Sequence, residues 1–98
     1  MTSTWLPPVH PGEILREEFM VPMELSSHAL ARAIGVTPAR VNDIVNEKRG
    51  ITADTALRFG CYFGTTADAW INLQKRFELE TARRELGDAL SPIQPRAA

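Results

Sequence analysis

Apolar residues return at helical spacing along most of the chain, and polar caps and glycines divide them into segments. From Glu13 to Val21 the apolar residues Ile14, Leu15 and Phe19 share one face, and Pro22 cannot continue that helix. Ser26 is a good N-cap for a second helix reaching Ile34, whose inner stripe is Leu30, Ala31 and Ile34. Gly35 closes it in the left-handed conformation that helix ends favour. Thr37 followed by Pro38 is a cap followed by proline at the first helical position. The third helix runs to about Asn46, with Val41, Ile44 and Val45 inward. Gly50 ends the polar stretch Glu47-Lys48-Arg49, and Thr52 caps a fourth helix with Asp54 in its first turn. Ala56, Leu57, Phe59, Gly60, Cys61 and Phe63 make that helix apolar almost all round, which predicts a central position. Gly64 ends it. Thr66 caps a fifth helix carrying Trp70, Leu73 and Phe77.

Beyond Phe77 the pattern is charged, with Leu79, Leu86 and Leu90 the large apolar residues and Gly87 a break. No segment alternates with period two. The fold expected is all-α, five helices with an extended C-terminal helical segment. Residues 1–9, with Pro7 and Pro8, read as a flexible arm; residues 10–90 form the body; residues 91–98 read as a frayed tail. Trp5 on the arm either docks on a partner or lies across its own domain. Phe59, Phe63, Trp70 and Phe77 are expected in the core. Asn72 and Gln74 belong either to a buried amide network or dimer contact, or to an exposed polar face.

Composition narrows the function. The chain has 98 residues, a 44% apolar and 23% charged content and a formal charge of −1, an ordinary balance for one small globular domain. No apolar run is long enough to span a membrane, and the N-terminus has no secretory pattern, so a cytoplasmic location is expected. One cysteine, Cys61, excludes an internal disulfide and a cysteine-based zinc site; its place on an apolar helix predicts that it is packed. His10 and His28 stand apart from any Cys or carboxylate cluster and make a poor metal site. Glu17 and Glu18 are neighbours that point about 100° apart on a helix, not a working acid–base pair. Without a glycine-rich phosphate loop or a nucleophile elbow, neither catalysis nor a cofactor is expected.

The informative unit is Ser26 to Arg49: helix, short glycine turn, helix. Ala31, four residues before Gly35, is small where two helices must approach. The outward face of the third helix begins with Thr37, Pro38, Ala39, Arg40, Asn42 and Asp43, short at the tip and rich in hydrogen-bonding groups, as a helix end entering a major groove requires. Arg32, Arg40, Lys48 and Arg49 stand against Asp43 and Glu47, a local positive excess in an overall acidic chain. Arg40 suits a phosphate or a guanine edge. Asn42 and Asp43 either read bases or pair locally. Asn46, Lys48 and Arg49 lie where phosphate contacts are common. Ser27 and Thr37 suit phosphate donation and are equally explained as helix-start residues.

The series also carries a family pattern. It runs His10-Pro11-Gly12-Glu13-Ile14-Leu15, then Leu30 to Val36, Val41 to Val45, Arg49 to Arg58, Tyr62-Phe63-Gly64-Thr65, and Trp70-Ile71-Asn72-Leu73-Gln74. Over residues 9–80 it closely resembles the HigA/VapI-type antitoxins of the phage-repressor-like helix-turn-helix class. The resemblance implies a five-helix DNA-binding homodimer that binds an inverted-repeat operator. It also implies a HigB-like partner, a RelE-like toxin that cuts mRNA on the ribosome, and repression of the shared operon. A stand-alone regulator without a toxin is the alternative, and an adaptor that binds only protein is a third reading. The distal leucines 79, 86 and 90 exceed what one small core needs and are the expected dimer interface. Toxin contact is expected on folded surface or on the N-terminal arm.

Overall fold

The segments punctuated by caps and glycines are helices in the computed structural model, which describes residues 7–97. Their order is α1 (Pro11–Ile14), running on into a wider π-helical turn (Leu15–Met20), then α2 (Ser27–Ile34), α3 (Pro38–Val45), α4 (Ala53–Phe63), α5 (Ala67–Leu86) and a closing 3₁₀ turn (Gly87–Leu90). No strand occurs among the described residues. Trp5 lies outside them.

Local chemistry sets the helix ends. Ser26 Oγ accepts the Ala29 N–H at 3.0 Å, Thr37 Oγ1 that of Arg40 at 3.2 Å, Thr52 Oγ1 that of Thr55 at 3.4 Å and Thr66 Oγ1 that of Ala69 at 3.0 Å. Each hydroxyl satisfies a donor that the first turn leaves without an intrahelical partner. Gly35 (φ 75°) and Gly64 (φ 74°) close α2 and α4 in the left-handed region.

The first helix departs from the expected one. It begins at Pro11 and unwinds from Leu15, where Val21 N–H donates to Arg16 O at 2.9 Å and Leu25 N–H to Met20 O at 2.9 Å. This five-residue hydrogen-bond spacing puts Leu15 and Met20 together in the core and leaves Ile14 and Phe19 only half-buried. A strict 3.6-residue period does not anticipate Met20.

The core gathers Leu15, Leu30, Ala31, Val41, Ile44, Ala56, Phe59 and Trp70, all essentially inaccessible. Trp70 packs against Phe59 at 5.0 Å and Phe19 at 5.2 Å, while its Nε1 donates to Thr65 Oγ1 at 2.8 Å. Phe63 is half-buried against this core, whereas Phe77 is half-buried against His10. The central position expected of α4 is corrected: Thr55, Ala56 and Phe59 face inward, but Leu57 is 62% exposed, Tyr62 40%, and Cys61 is exposed rather than packed. An apolar residue on a small domain's outer face costs little, and sequence alone does not separate it from a core residue.

Two buried polar groups stitch elements together. Gln74 is buried, accepting the Ile51 N–H at 2.8 Å and donating to Glu78 at 3.0 Å, whereas Asn72 is exposed. His10 is buried edge-on to Phe77, and its Nδ1 accepts the Gly12 N–H at 2.8 Å, capping α1. Burial lowers the His10 pKa below its ordinary 6.5, partly opposed by the negative charge of Glu47. The bare Nδ1 that takes the Gly12 hydrogen bond is lost on protonation. The unfolded chain therefore binds this proton more readily, so His10's contribution is complete above pH ~6.5 and declines as pH falls through the folded value. Urea midpoints are expected to be lower at pH ~5.5 than at ~7.5, and His10→Asn, which can still cap, is expected to remove most of that difference. An unchanged pH dependence in His10→Asn would assign the effect elsewhere.

Candidate nucleic-acid interface

Helices α2 and α3 meet at a tight turn because Ala31 is fully buried and Gly35 reverses the chain, with Val36 N–H donating to Ala31 O at 3.0 Å. Val41 and Ile44 anchor α3 to the core. The opposite face of α3 then looks outward: Thr37, Ala39, Asn42 and Asn46 are exposed, and Pro38, Arg40 and Asp43 half-buried. Ser27 is half-buried at the first position of α2. Beyond α3 the chain turns sharply. Glu47 N–H donates to Ile44 O at 2.9 Å and Lys48 N–H to Asp43 O at 2.8 Å, with Glu47 itself left-handed (φ 62°). This paired closure usually uses glycine. It leaves Lys48 and Arg49 exposed just past the end of α3. The ten residues singled out by the sequence thus lie on the outer face of α3, on the turn after it, and at the start of α2.

Their charges are not all free. Arg40 Nη1 donates to Asp54 Oδ1 at 3.0 Å and lies 3.5 Å from Thr55 Oγ1; Arg49 pairs with Asp43 at 3.4 Å. Asp43 therefore pairs locally, one of the two roles open to it from sequence. Among the described residues, Arg32 and Lys48 form no ion pair.

Two arginines that the sequence reading did not single out hold the unit in place. Arg58 Nη1 donates to Ile34 O at 2.7 Å and Gly35 O at 3.4 Å, closing the carboxyl end of α2. Arg16 Nη1 donates to Val45 O at 2.7 Å and sits 3.7 Å from Glu47, closing the end of α3. Cations at helix carboxyl ends satisfy open carbonyls and complement the helix dipole. Arg58 Nε also donates to Asp54 Oδ1 at 2.7 Å. Hydrogen bonds from Arg58 first, then Arg40, hold the Asp54 carboxyl below the usual carboxylate range. The Asp54–Arg58 spacing of four residues is visible in sequence; the reach of Arg58 to α2 and of Arg40 to α4 is not.

A five-helix body that clamps a two-helix unit from behind and presents the second helix outward is a phage-repressor-like helix-turn-helix domain. Residues 15–70 match the helix-turn-helix family. The chain is 56% identical over 80 residues to virulence-associated protein I of Dichelobacter nodosus, covering 82% of this chain and 74% of that protein. Pseudomonas aeruginosa antitoxin HigA, solved with the higBA promoter, superposes with a TM-score of 0.87 at 49% identity, covering 92% of this chain and 99% of that one. Antitoxin GraA, solved in complex with its operator, gives 0.89 at 47% identity, with 95% of each chain covered. The chain belongs to the helix-turn-helix family and, within it, to the HigA-type antitoxins. No helix among the described residues is long and apolar enough to cross a membrane, and no three His, Cys, Asp or Glu residues among them cluster as metal ligands.

Proposed function

We propose that this chain is a cytoplasmic antitoxin and autorepressor that acts by binding alone. As a homodimer it reads an inverted-repeat operator with α3 and represses its own operon, and it neutralises a HigB-like toxin of the RelE-like, mRNA-cleaving type. The observation that carries the DNA-binding part is the outward face of α3 on a chain half-identical to a HigA solved with its promoter. Thr37, Pro38 and Ala39 keep the helix tip short, so its backbone approaches the groove floor. The Asn42 amide has the donor and acceptor that match an adenine edge, and Arg40 reaches a guanine edge or a phosphate. Ser27, Asn46, Lys48 and Arg49 flank these as backbone contacts, and Asp43 orients Arg49. Leu79, Leu86 and Leu90, exposed by 56%, 44% and 48% on the outer part of the C-terminal helical segment, form the proposed dimer interface. Dimerisation sets two copies of α3 against two half-sites.

Titration of a duplex carrying the chain's own promoter tests this reading. Arg40, Lys48 and Arg49 from two protomers predict about six phosphate-type contacts and a log–log salt slope of roughly −5. A flat response, or equal affinity for scrambled DNA, would contradict it.

A further inference from the structure

We propose that Asp54 positions Arg40 for operator reading, so that an anion beside the DNA-binding face increases specificity. This rests on the reading of Arg40 as a DNA contact. One oxygen, Asp54 Oδ1, accepts both the Arg40 Nη1–H at 3.0 Å and the Arg58 Nε–H at 2.7 Å. Arg58 is itself fixed by the Ile34 carbonyl at 2.7 Å. The guanidinium of Arg40 is therefore referenced through Asp54 to three elements at once: the end of α2, the first turn of α3 on which it stands, and the first turn of α4.

Ordinary electrostatics predicts that a carboxylate here harms DNA binding. Asp54 is 57% exposed, and an anion near phosphates lowers affinity for any sequence. Two effects oppose this for the cognate site. A free arginine must give up rotamer freedom when it docks, and one already held by a carboxylate has lost much of it beforehand. A guanidinium also has five N–H donors in a rigid fork. Asp54 and Thr55 both engage Nη1, which leaves the Nη2 and Nε donors to meet a guanine edge or a phosphate from a defined direction. Preorganisation helps only where the partner group is in the right place. The benefit therefore falls on the operator, while the repulsion falls on all DNA. Arg58 supplies the cation that keeps Asp54 ionised and aimed, and is itself anchored on the carboxyl end of α2.

The test measures affinities for the operator duplex and for a scrambled duplex of the same length at one salt concentration. It uses wild type, Asp54→Asn, Asp54→Glu, Arg40→Ala and the double variant Arg40→Ala/Asp54→Asn, each checked for folding by its thermal melt. Asp54→Asn is expected to lose operator affinity by about tenfold while scrambled binding holds or tightens, and Asp54→Glu to stay within about twofold of wild type. In the Arg40→Ala background, Asp54→Asn is expected to leave the operator-to-scrambled ratio unchanged. Should Asp54→Asn melt early, Asp54→Ser is read in the same way. The proposal is overturned if the Asp54 variants tighten both duplexes equally or leave the ratio at the wild-type value. If Arg40→Ala binds the operator as wild type does, the DNA-contact reading of Arg40 fails and the role of Asp54 falls with it. If Arg40→Ala weakens the operator and Asp54→Asn leaves the ratio unchanged, only the positioning role fails.

Discussion

Gly12→Ala is expected to destabilise the fold by about 2–4 kcal/mol, the range for forcing atoms into a packed core without room to relax. Gly12 is buried in α1, and a methyl group there would overlap the backbone carbonyl of Ile44, with the His10 imidazole also in tight contact. The obstacle is backbone rather than a flexible side-chain tip. Either α1 retreats from α3, or the His10 cap on the Gly12 N–H is lost. Retreat has a second consequence, because the π-helical turn that follows α1 carries Arg16, whose bond to Val45 O closes α3. Gly64→Ala is the useful contrast. A methyl there meets nothing, and only its left-handed backbone resists substitution, a penalty of about 1 kcal/mol. Urea denaturation of both variants checks the order. Equal midpoints for Gly12→Ala and wild type would mean that α1 and α3 are not in close contact.

The parts of this molecule legible in its sequence are those decided by neighbours a few residues away. Ser26, Thr37, Thr52 and Thr66 cap because a hydroxyl reaches only the next turn, and Gly35 and Gly64 end helices because their own backbone allows it. The outer face of α3 was legible for the same reason, since Val41 and Ile44 fix its register. What escaped depends on distance or on winding. Arg58 reaches 24 residues back to Ile34 and Arg16 reaches 29 residues forward to Val45, and nothing in local spacing marks either as a helix clamp. Glu47 takes a left-handed conformation with no glycine to announce it. The π-helical turn shifts the buried set to Leu15 and Met20. The apolar surround of α4 concealed an exposed stripe of Leu57, Cys61 and Tyr62. Arg40, which the sequence suits to a phosphate or a guanine edge, is also held by Asp54 on another helix, a pairing that local spacing does not show.

Arg40→Glu is expected to weaken operator binding by about 3 kcal/mol or more, because each protomer loses a charge-assisted contact and gains repulsion. The pairing with Asp54 changes what this substitution does to folding. The new carboxylate would face the Asp54 carboxylate across the site of the present 3.0 Å bond, and Arg58 would be left to neutralise both. A measurable but modest loss of stability follows, larger than at an isolated exposed position, and the core behind α3 is untouched. Toxin neutralisation is expected to persist while the operon is derepressed, because a face that must enter a groove is not the main toxin surface. A folded variant that loses both functions would show that the two surfaces overlap.

Whether the outward face of α3 reads the operator is measured by an anisotropy titration of the promoter duplex. Wild type and Arg40→Glu are compared at one fixed salt concentration, below the melting temperature of both. An affinity loss of about a hundredfold or more is expected for Arg40→Glu, the equivalent of about 3 kcal/mol. Affinities within about twofold of each other would contradict it, since a reversed charge inside a DNA interface cannot be neutral.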